Sequence, residues 1–270
     1  MKLQKMSVNA HNRAHKGDID MLYTERHKQI LNYLETHSSA SVQDLAKGLF
    51  ASPSTIRRDL SELESMGFLQ RVHGGAVLTN GTNFDTPAGL RRTQQQEEKR
   101  RIAELASQFL SSSANYFFDS SSTASFLAQK LVNYLDVRIA TNGLGILTSL
   151  PSSPNLSVLC CGGYLRSPYD EFTGNLAIQC ISNMTADVFF FSCAGFSIAQ
   201  GAMELSDENV SVKRAFYNKS KKHILLCDST KFDQEFFFKS FDIRDIDYVV
   251  TDKKPTNSAY IDLLGDRLIY

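Results

Sequence analysis

Two stretches of the chain combine residue types that could do chemistry. In ASPSTIRRDL, from Ala51 to Leu60, Ser52 or Ser54 can cap a helix, and Pro53 suits a first turn that tolerates a missing amide donor. Ile56, Leu60 and Leu63 recur at helical spacing and would face a small core. The other side presents Ser54, Thr55, Arg57 and Arg58, short donors and guanidinium forks suited to phosphate oxygens and guanine edges in a major groove. An ordinary amphipathic helix with two solvated arginines would carry the same pattern. In the second stretch an apolar run ends at Asp119, and Ser120, Ser121, Ser122 and Thr123 open a helical pattern. Unpaired backbone donors and hydroxyls there could cradle a phosphate, with Asp119 accepting from sugar hydroxyls. Simple capping by one serine is the alternative.

Further polar residues follow apolar runs in the same half: Thr141-Asn142, Gly162-Gly163 and Asp228, with Lys231 just beyond and Lys213-Arg214 in a helical segment. Such cations could neutralise a phosphate. Each lysine alone reads equally as a solvated surface charge.

The elements that must position these residues divide the chain. Residues 1–22 are polar without an apolar period and read as a flexible arm. Thr24 can cap a helix through ERHKQILNYLETH, a Ser-rich turn follows, and Ser41 caps VQDLAKGLF, which would pack on the first helix through Val42, Leu45, Ala46 and Leu49. With a short turn into TIRRDL this makes a helix-turn-helix. After a stop at Gly67, FLQRVHGGAVL reads as a hairpin around Gly74-Gly75, a wing on which Arg71 and His73 could reach backbone or minor groove; His73 could also be a turn residue without a partner. The DNA-binding domain is thus placed at 23–78, and the aperiodic residues 79–94 read as a linker.

From Gln95 a helix is expected with Ile102, Leu105, Ala106 and Phe109 on one face and Glu97 paired with Arg101. Over 95–270 the apolar runs ANYFFD, VRIATN, LSVLCCGG, DVFFFSCAG, HILLCD and DYVVTD mostly alternate with helical patterns, as in a mostly parallel sheet covered by helices. Ligands bind such sheets at the carboxyl ends of the strands.

Composition restrains the reading without directing it. An apolar fraction of 42% over 270 residues can build real cores, and 29 Lys+Arg against 29 Asp+Glu leave no bulk signature of a nucleic-acid partner. The longest nearly apolar run, Ala186 to Phe196, is too short to span a bilayer, and the start MKLQKMSVNAHNRAHKG lacks the apolar core of a signal peptide, so a cytoplasmic protein without membrane contact is expected. The five cysteines lack metal or redox spacing and are expected as buried free thiols; no metal site or cofactor is expected.

Helix, helix, STIRRDLSELESMG and then RVHGGA resembles the winged helix-turn-helix of the DeoR family of bacterial transcription regulators. That resemblance places DNA contacts on Ser54, Thr55, Arg57, Arg58, Arg71 and His73, beside Ser52 at the helix start. EEKRRIAELA, DSSSTAS, ATN, GGYLRS, VKRAF and DSTKF are similar, in order, to the family's sensor domain, a relative of sugar-phosphate isomerases and CoA transferases. It implies a phosphorylated sugar held by Asp119, Ser120, Ser122, Thr123, Asn142, Gly163, Lys213 and Lys231. Three departures stand out: Ser121 where a glycine is usual, Asn209 where a glutamate commonly precedes the Lys-Arg pair, and Ala202-Met203 for a frequent Leu-Thr.

The expected function is a repressor of a sugar-metabolism operon, a homodimer or homotetramer whose operator affinity answers to that sugar phosphate. An isomerase- or transferase-like enzyme, using Asp119, Glu204, Asp207 or Glu208, is the rival reading, but no Ser-His-Asp or Cys-His set is legible and TNGLGILT lacks the third glycine of a dinucleotide fingerprint. A regulator whose sensor has lost its ligand is the third.

Overall fold

The computed structural model describes residues 26–270 apart from 28, 35, 38, 66–67, 79–85 and 87. The expected arm, the Thr24 cap, the stop at Gly67 and much of the expected linker lie outside the described residues. Two compact units divide the chain, Met1–Gly81 and Thr82–Tyr270.

In the first unit, α1 (described residues 26–27, 29–34 and 36–37) is followed by β1 (Ser39–Ser41), α2 (Val42–Gly48), α3 (Pro53–Ser65), β2 (Leu69–Val72) and β3 (Gly75–Leu78). Ile30, Leu31 and Leu34 of α1, Leu45 of α2 and Ile56, Leu60 and Leu63 of α3 are buried together as the helical spacing requires. Ser52 proves to be the cap of α3, its Oγ accepting from the Thr55 amide at 3.1 Å, and Ser41 caps α2 through Asp44 N at 3.1 Å.

Two expectations change in this unit. The Ser-rich stretch read as a turn is strand β1, which pairs antiparallel with β3 so that the wing has three strands in the order β1-β3-β2. The hairpin turn is His73-Gly74, one residue earlier than expected, because Val72 faces Gly75 and Gly74 takes φ 81°. Gly75 belongs to the strand: a Cβ there would meet the Ala40 carbonyl oxygen at 2.2 Å, so the approach of β1 requires glycine.

The unit also encloses one carboxylate, Asp59, at 0% exposure. Arg26 grips it with a fork, Nε to Oδ2 at 2.5 Å and a terminal nitrogen to Oδ1 at 2.9 Å, joining α1 to α3.

The second unit begins with α4 (Ala88–Thr93) and α5 (Gln96–Ala106), then β4 (Asn115–Phe118), α6 (Ser122–Ala128), β5 (Val137–Thr141), α7 (Leu144–Ser149) and β6 (Leu156–Cys160). A hairpin, β7 (Tyr164–Arg166) and β8 (Glu171–Thr173), leads to α8 (Asn175–Ser182), β9 (Val188–Phe191), β10 (Gly195–Ser197), β11 (Gly201–Glu204) and α9 (Asp207–Tyr217). The chain closes with β12 (His223–Leu226), β13 (Phe238–Phe241), β14 (Tyr248–Val250), α10 (Ala259–Leu264) and β15 (Leu268–Ile269).

Seven strands form one parallel sheet in the order β15-β14-β12-β9-β4-β5-β6. Its central strands are apolar on both faces, so successive phenylalanines enter different cores. Phe117, Phe189 and Phe191 pack with Phe216 on one side, and Phe118 and Phe190 pack with Ile102 and Leu127 on the other. The antiparallel additions β7-β8 and β10-β11-β13 were not anticipated; their three- and four-residue strands are too short to show a period.

Three further readings are corrected here. The segment read as linker contains α4, fixed to this unit where Lys99 Nζ donates to the carbonyls of Arg91 and Gln94, and Gln96 Nε2 to that of Arg92 at 3.0 Å. Glu97 pairs with Arg100 rather than Arg101. Cys161, Cys193 and Cys227 are buried, but Cys160 is exposed because β6 is an edge strand.

Asp59→Ala strips a fully buried partner from a charged hydrogen-bonded pair and should cost about 2 kcal/mol of the first unit's stability. Urea unfolding of that variant should shift clearly, whereas Arg57→Ala should stay within about 0.5 kcal/mol of the parent.

Candidate functional site

In the first unit the expected DNA-facing residues gather on α3 and the wing. Arg57 and Arg58 are exposed while Ile56 and Leu60 beside them are buried. Ser52, Ser54 and Thr55 join their hydroxyls at the start of the helix, Ser52 Oγ lying 2.8 Å from each of the other two. Arg58 lies 3.4 Å from Glu62, one turn on, a solvent-screened pair. Arg71 is turned back onto α3: its amide donates to Glu64 at 2.8 Å and its guanidinium to Ser61 Oγ at 2.5 Å, so strand β2 is braced against the helix. His73 is exposed at the wing tip, and the adjacent Gly74 carbonyl accepts from Val42 N at 2.8 Å. Over residues 24–78 six cations and six carboxylates cancel, yet Asp59 and Glu64 are consumed internally while Arg57 and Arg58 face outward.

In the second unit the polar ends of β4, β5, β9 and β12 share the carboxyl edge of the sheet, as parallel pairing demands. Asp119, 1% exposed, follows β4 and accepts from Ser121 N at 3.1 Å, Ser121 Oγ at 2.5 Å and Ser192 N at 3.0 Å. Lys213 reaches it from α9: Nζ lies 3.2 Å from Asp119 Oδ2, donates to Ser192 O at 2.6 Å and ion-pairs with Glu204. Burial by itself lowers a lysine pKa, but Glu204 and Asp119 hold the Lys213 ammonium above its ordinary value. Lys231 donates to Ser192 Oγ at 2.9 Å and stands 3.5 Å from Asp228, which it keeps below the usual carboxylate range against the opposing effect of burial.

Ser120 lies on a second branch. Its Oγ donates to Glu171 at 2.9 Å; Glu171 also takes Arg166 at 3.0 Å, and Arg166 reaches Ser206 Oγ at 2.8 Å. Asn142 donates to Phe172 O at 3.0 Å, and its buried Oδ1 has no hydrogen-bond partner in the structure. Thr123 Oγ1 and Asn209 Oδ1 are buried in the same condition. Gly163, at φ 138°, lies where a Cβ would meet Thr173 O at 2.4 Å, so its glycine is required by the return of the β7-β8 hairpin. Asp119, Lys213 and Lys231 thus converge around Ser192, Ser120 and Asn142 approach β8, and Gly163 serves the backbone.

Ser121, the departure from the usual glycine, has φ −71° and ψ 147°, ordinary extended backbone, and its Oγ caps α6 by accepting from Ala124 N at 3.2 Å. A side chain there costs no strain.

Sequence reasoning missed four contributors. Ser192 and Glu171 stand in apolar or loop contexts that give no periodic signal. Lys99, 4% exposed, sits among charged helix residues, and burial together with Lys231 lowers its pKa to about 8. Its position three before Ile102 was the available clue, since it shares that buried face. Arg92, from the segment taken for linker, ion-pairs with Asp170 and lines a small pocket with Arg91, Ser120, Ser122, Gly145 and Asp170.

Among the described residues no group of three or more His, Cys, Asp or Glu could hold a metal ion, and no helix is long and apolar enough to cross a membrane.

Comparison with known proteins agrees with both halves. Residues 26–82 match the DeoR-like helix-turn-helix domain and residues 94–253 the DeoR C terminal sensor domain. The HTH-type transcriptional regulator GolR of Listeria innocua serovar 6a is 32% identical, over 87% of this chain and 93% of that protein. The glycerol-3-phosphate regulon repressor of Escherichia coli K12 is 30% identical, over 88% and 94%. Among solved structures, eIF2B delta from Chaetomium thermophilum has a TM-score of 0.43 at 18% identity over 62% of this chain and 59% of that one. Ribose 5-phosphate isomerase A from Neisseria gonorrhoeae has 0.36 at 17% over 53% and 56%. With a helix-turn-helix model matching its first unit and a sensor model matching most of its second, the chain belongs to the DeoR family of transcription regulators.

Proposed function

We propose that the chain represses a sugar-metabolism operon by reading operator DNA with α3 and the wing, and that a phosphorylated sugar at the carboxyl edge of the parallel sheet changes its operator affinity. The observation that carries the DNA half is the division of α3, with Ile56, Leu60 and Leu63 buried and Arg57 and Arg58 exposed. In this reading the arginines contact base edges or phosphates, Ser52, Ser54 and Thr55 position the helix start on the backbone, and Arg71 and His73 extend the contact through the wing. A homodimer or homotetramer fits paired half-sites.

For the effector, Lys231 beside Ser192 supplies cationic charge, Lys213 holds Asp119 and Ser192 in place behind it, and Ser120, Ser122, Thr123 and Asn142 supply hydroxyl and amide groups for a phosphate and a polyol. A phosphate among such groups gains charge-assisted bonds. A non-enzymatic role is supported by how the candidate acids are used: Glu204 neutralises Lys213, and Asp119 is occupied by Ser121, Ser192 and Lys213.

Arg57→Ala and Arg58→Ala together should abolish the mobility shift of a fragment from upstream of the protein's own operon; each bidentate base contact is worth about 1–3 kcal/mol. An unchanged shift would overturn the DNA assignment.

Lys99 adds a pH dependence. Above about pH 8 its amine is mostly neutral in the unliganded protein. An anion near Lys99 and Lys231 favours the charged form, so binding takes up a proton there. Effector affinity should therefore weaken as pH rises through about 8, and a melting-temperature titration with a panel of sugar phosphates at pH 7 and pH 9.5 checks it. Lys99→Met should flatten that difference.

A further inference from the structure

The first helix after the wing, α4, carries two adjacent guanidiniums into the second unit. Arg91 donates to Tyr169 O at 3.1 Å, and Arg92 ion-pairs with Asp170. Both arginines line the small pocket that also takes in Ser120, Ser122, Gly145 and Asp170. Gly145 makes room for Arg92: a Cβ there would lie 2.7 Å from its guanidinium.

Asp170 is held in an unusual way. It has φ 52°, a left-handed conformation that a non-glycine residue adopts sparingly, and its carbonyl accepts from Leu144 N at 2.8 Å at the start of α7. The loop 167–170 thus delivers the protein's own anion among arginines and serine hydroxyls, a setting equally suited to a phosphate. The Arg92–Asp170 pair is partly exposed, at 39% and 24% for the two side chains, so exchanging one anion for another does not require opening a core.

We propose that Arg92 is a phosphate-binding residue held in reserve by Asp170, and that a phosphomonoester displaces the Asp170 carboxylate from its guanidinium. This rests on the reading that the effector is a phosphorylated molecule at the carboxyl edge of the sheet. It adds a residue supplied by α4, the element through which the chain runs from wing to sensor. Gln96 and Lys99 hold the carbonyls of Arg92, Arg91 and Gln94, so a change at Arg92 is felt by the α4–α5 junction. Lys99 is faced in turn by Lys231, Asp228, Arg91 and Glu98, so its hold on α4 feels charge on the Lys231 side of the site as well.

Calorimetric titration with inorganic phosphate tests this on the full-length protein and on Arg92→Gln and Asp170→Asn, with amide exchange followed over residues 88–95. The parent should bind saturably and change exchange over that segment. Arg92→Gln should weaken binding at least about tenfold, the weight of a charge-assisted bond, and Asp170→Asn should tighten it by a similar factor because the competing charge is gone. Absence of saturable binding by the parent, equal affinity in all three proteins, or weaker binding by Asp170→Asn would each overturn the proposal. The operator shift of the unliganded parent is a separate readout, so failure of the DNA assignment is told apart from failure of the Arg92 exchange. If phosphate binds as expected while no sugar phosphate alters that shift, the exchange stands and the effector reading falls.

Discussion

The ammonium of Lys213 is 3% exposed and stays charged because Asp119, Glu204 and the Ser192 carbonyl surround it. Removing such a charge from water costs several kcal/mol, and only close opposite charge with further hydrogen bonds offsets that cost. The cluster ties α9 and the ends of the nearby β9 and β11 to the end of β4, some 70 residues earlier in the chain. Once they are locked, the amides and hydroxyls that follow Asp119 and the side chain of Lys231 have fixed places around Ser192. The candidate site depends on this ion cluster more than on any one loop.

The first unit relies on the same device at smaller scale. Asp59 lies between Arg58 and Leu60, faces inward and is forked by Arg26. It ties α1 to α3 and keeps its own charge off the face that carries Arg57 and Arg58. Arg71, bonded to Ser61 and Glu64, braces the wing on the same helix. Residues 24–78, whose six cations and six carboxylates cancel, can thereby present Arg57 and Arg58 outward while Asp59 and Glu64 are used internally.

Much of this was legible from residue order. The caps at Ser41 and Ser52, the inward row Ile56, Leu60 and Leu63, and the parallel strands ending at Asp119, Asn142 and Asp228 follow from local rules of capping and period. Strand β1 was not legible, because three residues show no period and its partner β3 is thirty-odd residues away. Helix α4 was hidden by its glycine and proline surroundings; its anchors, Lys99 and Asp170, come from other elements.

The sequence by itself determined the two-part architecture, the family and the set of polar residues at strand ends, because those depend on residue type at short spacing. Only the tertiary structure decided which charges neutralise one another: Arg26 with Asp59, Lys213 with Asp119 and Glu204, and Arg92 with Asp170. Coulomb attraction acts through space and depends on burial, so charges separated by 33 or 78 residues in the chain can be partners while near neighbours such as Glu97 and Arg101 are not.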